Sequence, residues 1–355
     1  MREQRPTSES EYFATAQRRF EVVAQACSDQ LHVRELDIAG AHVRLRLVGN
    51  GLAECLTETF AHLQAPAAPP ALEIDAWSEN ETGEPALPQT LPWAGGFEGR
   101  IDGGLISISP DERFLAFRVG DNSVSWLDRS GPRIVASVRR PEDLLLRERV
   151  KPFGALMPLW LRDRGVRVVH AAAVADGQRA VLIPGLSGAG KSTCATFCVE
   201  AGLDFLGDDA IALQETDDGS FVAHSLYGGA RLWPADGGFF PDWSARAIHP
   251  YSTGDEAKLL MFVGRRHRER LRTRARIAAI AFPKITASGE TRLRPLARVE
   301  VLRALVITAL FLVVKPEPAD MDQMLRLATR LPAFQLELGT DRSQIPALIE
   351  RCLQA

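Results

Sequence analysis

The sequence predicts an α/β fold for its second half, preceded by a mostly β, α+β, first half. In the second half, a strand-like apolar run (Arg179 to Pro184), a glycine-rich stretch (Gly185 to Ser192) and a segment with helical spacing (Thr193 to Ala201) follow one another. In the first half, His42 to Val48 and Ala71 to Trp77 alternate polar and apolar side chains, which is typical of strands with one buried face. We therefore expect two domains of different architecture.

The length of the chain fits this division. Its 355 residues, 46% of them hydrophobic, can fill a core in each of two domains of ordinary size. We predict a boundary near residue 147, with an N-terminal α+β domain over 1–147 and the α/β domain over 148–355. The N-terminal half has no catalytic spacing, so it serves either substrate recognition or structure alone.

The remaining elements of the first half follow from local patterns. Gly51 to Gln64 predicts one helix, closed by a loop rich in proline and alanine. From Gly99 to Val138, short strand-like runs are separated by turn signals, which predicts a β meander. Pro141 to Leu161 is helical in pattern, is interrupted by Pro152 and Pro158, and leads into the second domain.

Around the glycine-rich stretch, the second half alternates strands and helices. Arg167 to Val174 predicts a strand that contains His170, and Leu203 to Leu206 predicts a short strand ending in Gly207-Asp208-Asp209. A long glycine-rich loop is expected from Gly237 to about Asp255. Further predicted elements are a strand at Ile277 to Pro283, helices near Val299 to Leu310 and Met321 to Thr329, a strand at Phe334 to Leu338, and a helix from Arg342 to Leu353.

Two unusual segments leave alternatives open. Arg265 to Arg276 has arginines at period two from Arg270, which predicts a strand with one arginine face, either solvated or holding an acidic partner. Ala304 to Val314, the longest apolar run, is too short to span a bilayer and is expected to be a buried helix or strand.

Composition narrows the class of protein. A net charge of -3 argues against a general nucleic-acid binder, and the polar N-terminus lacks the apolar core of a signal peptide. We therefore expect a cytoplasmic protein with no nucleic-acid or membrane partner. Five cysteines are too few and odd in number for a disulfide framework. Cys194 and Cys198, one helical turn apart, are either metal or redox residues or simply pack the helix.

The glycine-rich stretch carries the clearest chemistry. It fits G-x-x-x-x-G-K-[ST] at every fixed position, and in its strand–loop–helix setting such a loop wraps backbone N–H groups around phosphates. Lys191 would reach the outer phosphates, and Ser192 would offer its hydroxyl to Mg²⁺. The predicted nucleotide-binding residues are Gly185, Leu186, Ser187, Gly188, Ala189, Gly190, Lys191, Ser192 and Thr193.

Other residues, outside the loop, are candidates for the same site. Asp208 and Asp209 stand 16 and 17 residues after Ser192, at the end of a strand, where a magnesium ligand or a general base is wanted. Arg231 and Lys258 are basic candidates for stabilising charge during catalysis. By itself His170, on the strand before the loop, could equally be a hydrogen-bonded core histidine.

The loop, His170 and the Asp208-Asp209 pair together resemble the catalytic core of the HPr kinase/phosphorylase family, over roughly residues 165 to 215. The resemblance implies a fold related to phosphoenolpyruvate carboxykinase and transfer of the γ-phosphoryl group of ATP to a serine hydroxyl. It implies Asp209 as general base, Lys191 and Ser192 on phosphates and Mg²⁺, and His170 beside the reacting phosphate. We assign Asp208 as a second metal contact.

The sequence also departs from that family. No copy of the family's later Glu and Arg segment is found between Leu226 and Asp255, and its N-terminal domain is not evident in residues 1–147. These departures favour a divergent member that phosphorylates a serine in a peptide or small protein. Alternatives are a small-molecule kinase, a carboxykinase-like phosphotransferase, or a nucleotide-binding regulator without turnover. The resemblance also implies a homo-oligomer.

Overall fold

In the computed structural model, the chain forms two compact units. Residues 8–88, 96–249, 257–310 and 315–355 are described. One unit comprises Met1–Glu58 with Leu63–Trp160, and the other comprises Thr59–His62 with Leu161–Ala355. Helices accompany sheets in both units, and parallel and antiparallel strand pairs occur together within a sheet. The protein is therefore of mixed α/β class.

The first unit is built on an eight-stranded sheet of order β1-β2-β3-β8-β7-β6-β5-β4. β3 lies parallel to β2 and β8, and the run from β4 to β8 is an antiparallel meander, as the sequence predicts. The strands are β1 Leu31–Ile38, β2 Ala41–Val48, β3 Leu72–Ser78, β4 Phe97–Ile101, β5 Gly104–Ile108, β6 Phe114–Val119, β7 Ser123–Asp128 and β8 Arg133–Val138.

One face of this sheet is covered by a helix that the sequence reading missed. Helix α1, Glu9–Ala26, is capped by the Ser8 hydroxyl, and its Phe13 and Phe20 pack with Trp77 and Trp126 of the sheet. The predicted helix Gly51 to Gln64 is shorter than expected. Its residues form α2, Asn50–Thr57, and a 3₁₀ turn, Glu58–Phe60. The other helices up to residue 162 are α3 Glu79–Thr82, α4 Leu146–Val150 and α5 Met157–Arg162.

The second unit is built on a nine-stranded sheet, in which β11, β17 and β19 are parallel neighbours. Their carboxyl ends point to one edge, which is where ligands bind in open α/β sheets. A separate pair, β15 and β16, is antiparallel. The strands are β9 Arg167–Val169, β10 Ala171–Asp176, β11 Arg179–Pro184, β12 Asp204–Gly207, β13 Ile211–Glu215, β14 Phe221–Ser225, β15 Gly229–Leu232, β16 Leu259–Phe262, β17 Arg274–Ile285, β18 Arg292–Pro295 and β19 Ala333–Leu338.

Helices cover both faces of the larger sheet. The helices are α6 Lys191–Glu200, α7 Pro234–Gly237, α8 Pro241–Ser244, α9 Arg298–Leu310, α10 Pro318–Arg330 and α11 Ile345–Leu353. α6 and α11 fill the core on one face, and α9 and α10 fill the core on the other. Cys194 and Cys198 lie in the first of these cores, where burial raises the pKa of the Cys194 thiol to about 12. Both cysteines therefore pack the helix, which was one of the two alternatives.

The predicted strand with an arginine face is wrong over its first half. Val263–Arg265 and Arg268–Arg270 form 3₁₀ turns, and β17 begins only at Arg274. Arg270 and Arg272 both reach the buried carboxylate of Asp204, at 3.9 and 2.8 Å. Both arginines therefore pair with a buried acid of this chain.

Two further predictions differ in detail from the structure, and two others extend beyond the described residues. Arg167 to Val174 is not one strand, because β9 pairs with β13 whereas β10 pairs with β11 and β12, and His170 lies at the break. Pro152 separates α4 from α5, while Pro158 is tolerated near the start of α5. Part of the predicted loop to Asp255 (250–256) and the end of the apolar run (311–314) lie outside the described residues. In the described parts, no helix combines the length and apolarity needed to cross a membrane.

Candidate active site

The glycine-rich loop joins two elements of the second unit at the edge where the parallel strands end. β11 ends at Pro184, and α6 begins at Lys191, so the order strand, loop, helix is the one the sequence predicts. Gly190 has a φ of +102°, and a Cβ on it would lie 2.5 Å from Cδ1 of Leu338, at the end of β19. Both observations exclude a side chain at this position. The start of α6 is therefore held against the ends of neighbouring strands.

A cavity of about 260 Å³ lies beside the loop and the first turn of α6. Among the described residues, four cationic side chains and one acidic side chain line it, and the acid, Asp236, already accepts a hydrogen bond from the Thr193 hydroxyl at 3.0 Å. Such a lining suits a polyanion. The lining residues are Gly188, Gly190, Lys191, Ser192, Thr193, Arg231, Leu232, Trp233, Ala235, Asp236, Lys258, Ile285 and Arg342.

Lys191 connects this cavity to the acidic residues beside it. Its side chain is only 3% exposed, and its Nζ donates to the Leu186 carbonyl at 3.3 Å and lies 2.9 Å from Nε2 of His170. Because an ammonium group only donates, Nε2 of His170 is the acceptor opposite a protonated Lys191. Nζ also lies 3.7 Å from Oδ1 of Asp209. His170 and Asp209 together thus orient the lysine.

Asp209 is at the centre of a buried ionic cluster. Arg231 Nη2 donates to its Oδ2 at 3.0 Å, and Nε2 of His170 lies 3.5 Å from its Oδ1. Asp209 has a φ of +65°, in the left-handed region that aspartate tolerates better than most residues, so its side chain leaves the chain in a different direction from that of Asp208. Neither aspartate lines the cavity, although Lys191 and Arg231, which contact Asp209, both do.

Asp208 has the environment of a cation ligand. Its Oδ2 accepts from the Arg231 backbone N–H at 3.3 Å, while its Oδ1 is buried without a hydrogen-bond partner among the described residues. Burial, and then the charge of Asp209, raises the pKa of Asp208 to about 6, although Lys191 and Ser192 act in the opposite direction. A buried carboxylate oxygen without a partner near the Ser192 hydroxyl fits a bound Mg²⁺.

The metal would have few ligands from the protein. No group of three or more His, Cys, Asp or Glu residues that could hold a metal is found in the part of the chain that the structure describes. Mg²⁺ commonly binds through one or two protein ligands, water and substrate phosphates, and a site with Ser192 and Asp208 matches that pattern.

The two predicted basic candidates both reach the cavity. Arg231 stands on β15 with its guanidinium on Asp209. Lys258 is buried, donates to the Ser187 hydroxyl at 3.1 Å and lies 5.1 Å from the centre of the Trp233 ring. The cation therefore contacts both the loop and an aromatic face.

The structure thus brings His170, Lys191, Asp208, Asp209 and Arg231 together around the loop. Four predicted loop residues, Gly185, Leu186, Ser187 and Ala189, are not among those lining the cavity. Sequence reasoning missed Trp233, Asp236, Ile285 and Arg342 on the cavity. Trp233 and Asp236 follow Arg231 closely in the chain, which is a signal that could have identified them.

Comparison with known proteins gives little further information. No family model matches the chain, and no curated protein is similar to it. Among solved structures, an Hpr(Ser) kinase/phosphatase from Coxiella burnetii is similar with a TM-score of 0.31 and 12% sequence identity, over 53% of this chain and 88% of that chain. A similarity this weak is compatible with at most a distant relationship of fold.

Proposed function

We propose that the protein is a kinase that uses ATP and Mg²⁺ to phosphorylate a serine hydroxyl of a peptide or small protein. The observation that supports this proposal most is the loop between β11 and α6. Its Lys191 faces a cation-lined cavity and lies 3.7 Å from the buried carboxylate of Asp209. A polyphosphate site directly beside a carboxylate is the arrangement that phosphoryl transfer to a hydroxyl needs.

The loop and the cations around it would bind the phosphates of ATP. Backbone N–H groups of the loop and the start of α6 supply partial positive charge, and Lys191, Arg231 and Lys258 add three full charges around the cavity. Charge on the transferred phosphoryl group would thus be stabilised by the cations that line the cavity.

Asp209 would act as the general base. In the ligand-free protein Lys191 and Arg231 engage its carboxylate. Movement of these cations toward the phosphates would free one carboxylate oxygen. The serine oxygen then bonds to the γ-phosphorus, the bond between that phosphorus and the bridging oxygen of ADP breaks, and the hydroxyl proton passes to Asp209.

Neighbouring residues would support these steps. Ser192 and Asp208 would hold Mg²⁺, which draws charge from the phosphates when bound. His170 would keep Lys191 in place through its Nε2, at 2.9 Å. Arg231 donates a hydrogen bond to Asp209 at 3.0 Å. Once the guanidinium of Arg231 has moved away from this carboxylate, it would stabilise the charge of the phosphoryl group.

The first unit would select the acceptor. All the residues to which we assign chemistry belong to the second unit, within Leu161–Ala355. A separate unit of more than a hundred residues is available for recognition, since catalysis does not occupy it. We extend the proposal to a cytoplasmic protein that assembles with copies of itself.

The test is phosphorylation of serine-containing peptides, each paired with its Ser→Ala counterpart, followed by mass spectrometry. Wild type with ATP and Mg²⁺ should add one phosphoryl group to the serine peptide only, and Lys191→Ala should not. Lys284→Ala, which removes an exposed lysine outside the cavity, is the matched control and should remain active. ATP binding without transfer to any acceptor would favour the nucleotide-binding regulator, and absence of ATP binding would reject the proposal.

A further inference from the structure

We infer that Arg342 is a further nucleotide-binding residue, which contacts the polyphosphate of ATP. This inference rests on the proposed function and adds a phosphate-binding residue to the same site. Arg342 lines the cavity together with Gly188, Gly190 and Lys191. It comes 150 residues after Ser192, the last residue of the phosphate-binding motif, so no local pattern identifies it.

The sheet explains how this arginine reaches the loop. β19 runs parallel to β17, with Leu338 opposite Ile285, and β17 runs parallel to β11. The segments that follow these strands therefore emerge at the same edge as the glycine-rich loop. Leu338 contacts the loop itself at Gly190. Arg342 follows four residues later, in the turn before α11.

That turn is fixed by hydrogen bonds to the segment after β17. The Thr291 hydroxyl accepts from the Gly339 N–H at 3.1 Å and donates to the Asp341 carbonyl at 2.7 Å, while the Thr291 N–H donates to the Gln344 side chain at 3.0 Å. A Cβ on Gly339 would lie 2.4 Å from the Glu290 carbonyl oxygen, so the two segments approach too closely for any side chain there. Arg342 is therefore held on a rigid support before a ligand arrives.

The guanidinium differs from the other cations of the cavity in its partners. Lys191 and Arg231 lie against Asp209, and Lys258 contacts Ser187 and Trp233. Within the ranges that the structure describes, no carboxylate lies within ion-pair distance of Arg342. The adjacent Asp341 is bonded instead to Ser343 and Gln344.

The charge of Arg342 also reaches the first turn of α6. Burial raises the pKa of Cys194, in that turn, and the positive charge of Arg342 acts against the rise. A cation beside a helix N-terminus, with no anion of its own, favours an anionic ligand there. A planar guanidinium can bind two phosphate oxygens at once, which a lysine cannot do.

The test measures binding of ATP and of inorganic tripolyphosphate to the full chain by calorimetry, at low and high salt. Arg342→Ala should lower the affinity for both ligands by about tenfold or more. Added salt should lower the affinity of this variant less than it lowers that of wild type. Arg342→Lys should restore part of the affinity. Arg294→Ala, which removes a half-exposed arginine of β18 that does not line the cavity, should bind like wild type.

Kinetic measurements distinguish a specific loss of phosphate binding in Arg342→Ala from a general loss of structure. With equal melting temperatures, Arg342→Ala should raise KM for ATP and leave kcat within about threefold. If Arg342→Ala binds both ligands like wild type while Lys191→Ala does not, Arg342 has no such role and the proposed function stands. If Arg342→Ala binds tripolyphosphate like wild type but has a lower affinity for ATP, the assignment of Arg342 to the phosphates is overturned. The same holds if Arg342→Ala raises only the KM for the acceptor. If wild type binds neither ligand, both the inference and the proposed function fail.

Discussion

Replacing Asp208 by asparagine should stabilise the ligand-free protein at neutral pH. Burial, and then the charge of Asp209, raises the pKa of Asp208 from its ordinary value of 3.8 to about 6. Since one pKa unit corresponds to about 1.4 kcal/mol, keeping this carboxylate charged above pH 6 costs the folded state about 3 kcal/mol. An amide of the same size carries no charge, so we expect a gain of about 1 to 3 kcal/mol at pH 7.5.

The pH dependence follows from the sign of the shift. The folded-state pKa lies above the unfolded one, so the folded state binds more protons between about pH 4 and 6. The free energy of unfolding of wild type therefore falls as the pH rises through this window. The advantage of Asp208→Asn should be small near pH 4 and complete above about pH 6.5. At pH 7.5 we expect a melting temperature about 2 to 10 °C above that of wild type.

Calorimetric melting at both pH values, without nucleotide or Mg²⁺, measures this effect. Asp209→Asn is the matched control and should destabilise instead, because it leaves the buried cations Lys191 and Arg231 without their carboxylate. The reasoning would be refuted by an Asp208→Asn variant that melts below wild type at pH 7.5. A gain that is equally large at pH 4 would refute the assignment to ionisation of Asp208.

Two other substitutions test single positions of the second unit. Burial lowers the pKa of His62 to about 4, and its Nε2 lies 2.7 Å from the Ser225 hydroxyl. The unfolded state therefore binds more protons than the folded state between about pH 6.5 and 4, so the free energy of unfolding should decrease as the pH is lowered through that window. His62→Gln should reduce the accompanying decrease in melting temperature. Gly190→Ala should abolish ATP binding and lower the melting temperature by several degrees, because its Cβ would meet Leu338; unchanged ATP affinity by calorimetry would contradict this.

Much of the candidate site could be predicted from the sequence because it is encoded locally. The fourteen consecutive residues from Arg179 to Ser192 specify the strand, the turn and the start of α6, and the structure has these elements in that order. Asp208 and Asp209 follow after one helix and one strand, so their proximity to Lys191 needs only a single return of the chain.

Helix α1, which the sequence analysis missed, could also have been predicted. Ser8 precedes Glu11 by three residues, as in a helix N-cap, and Phe13, Phe20 and their neighbours recur at helical spacing.

The remaining features depend on pairing between distant segments. Arg342 reaches the cavity only because β19 pairs with β17, and local sequence holds no information on that pairing. The arginines at Arg270 and Arg272 have the spacing of a strand, but Arg270 lies in a 3₁₀ turn, and both pair with Asp204, an acid more than 60 residues earlier. Periodicity over so few residues cannot separate a strand from a 3₁₀ turn.

The central claim is that Asp209 takes the proton from a serine hydroxyl as the γ-phosphoryl group moves to it. Single-turnover transfer from ATP to a serine peptide, measured with wild type and Asp209→Asn, tests this claim most directly. We predict that Asp209→Asn lowers the rate of transfer by about a hundredfold or more, while the Kd for ATP with Mg²⁺ changes by less than about threefold. Transfer by Asp209→Asn within threefold of the wild-type rate would contradict the account.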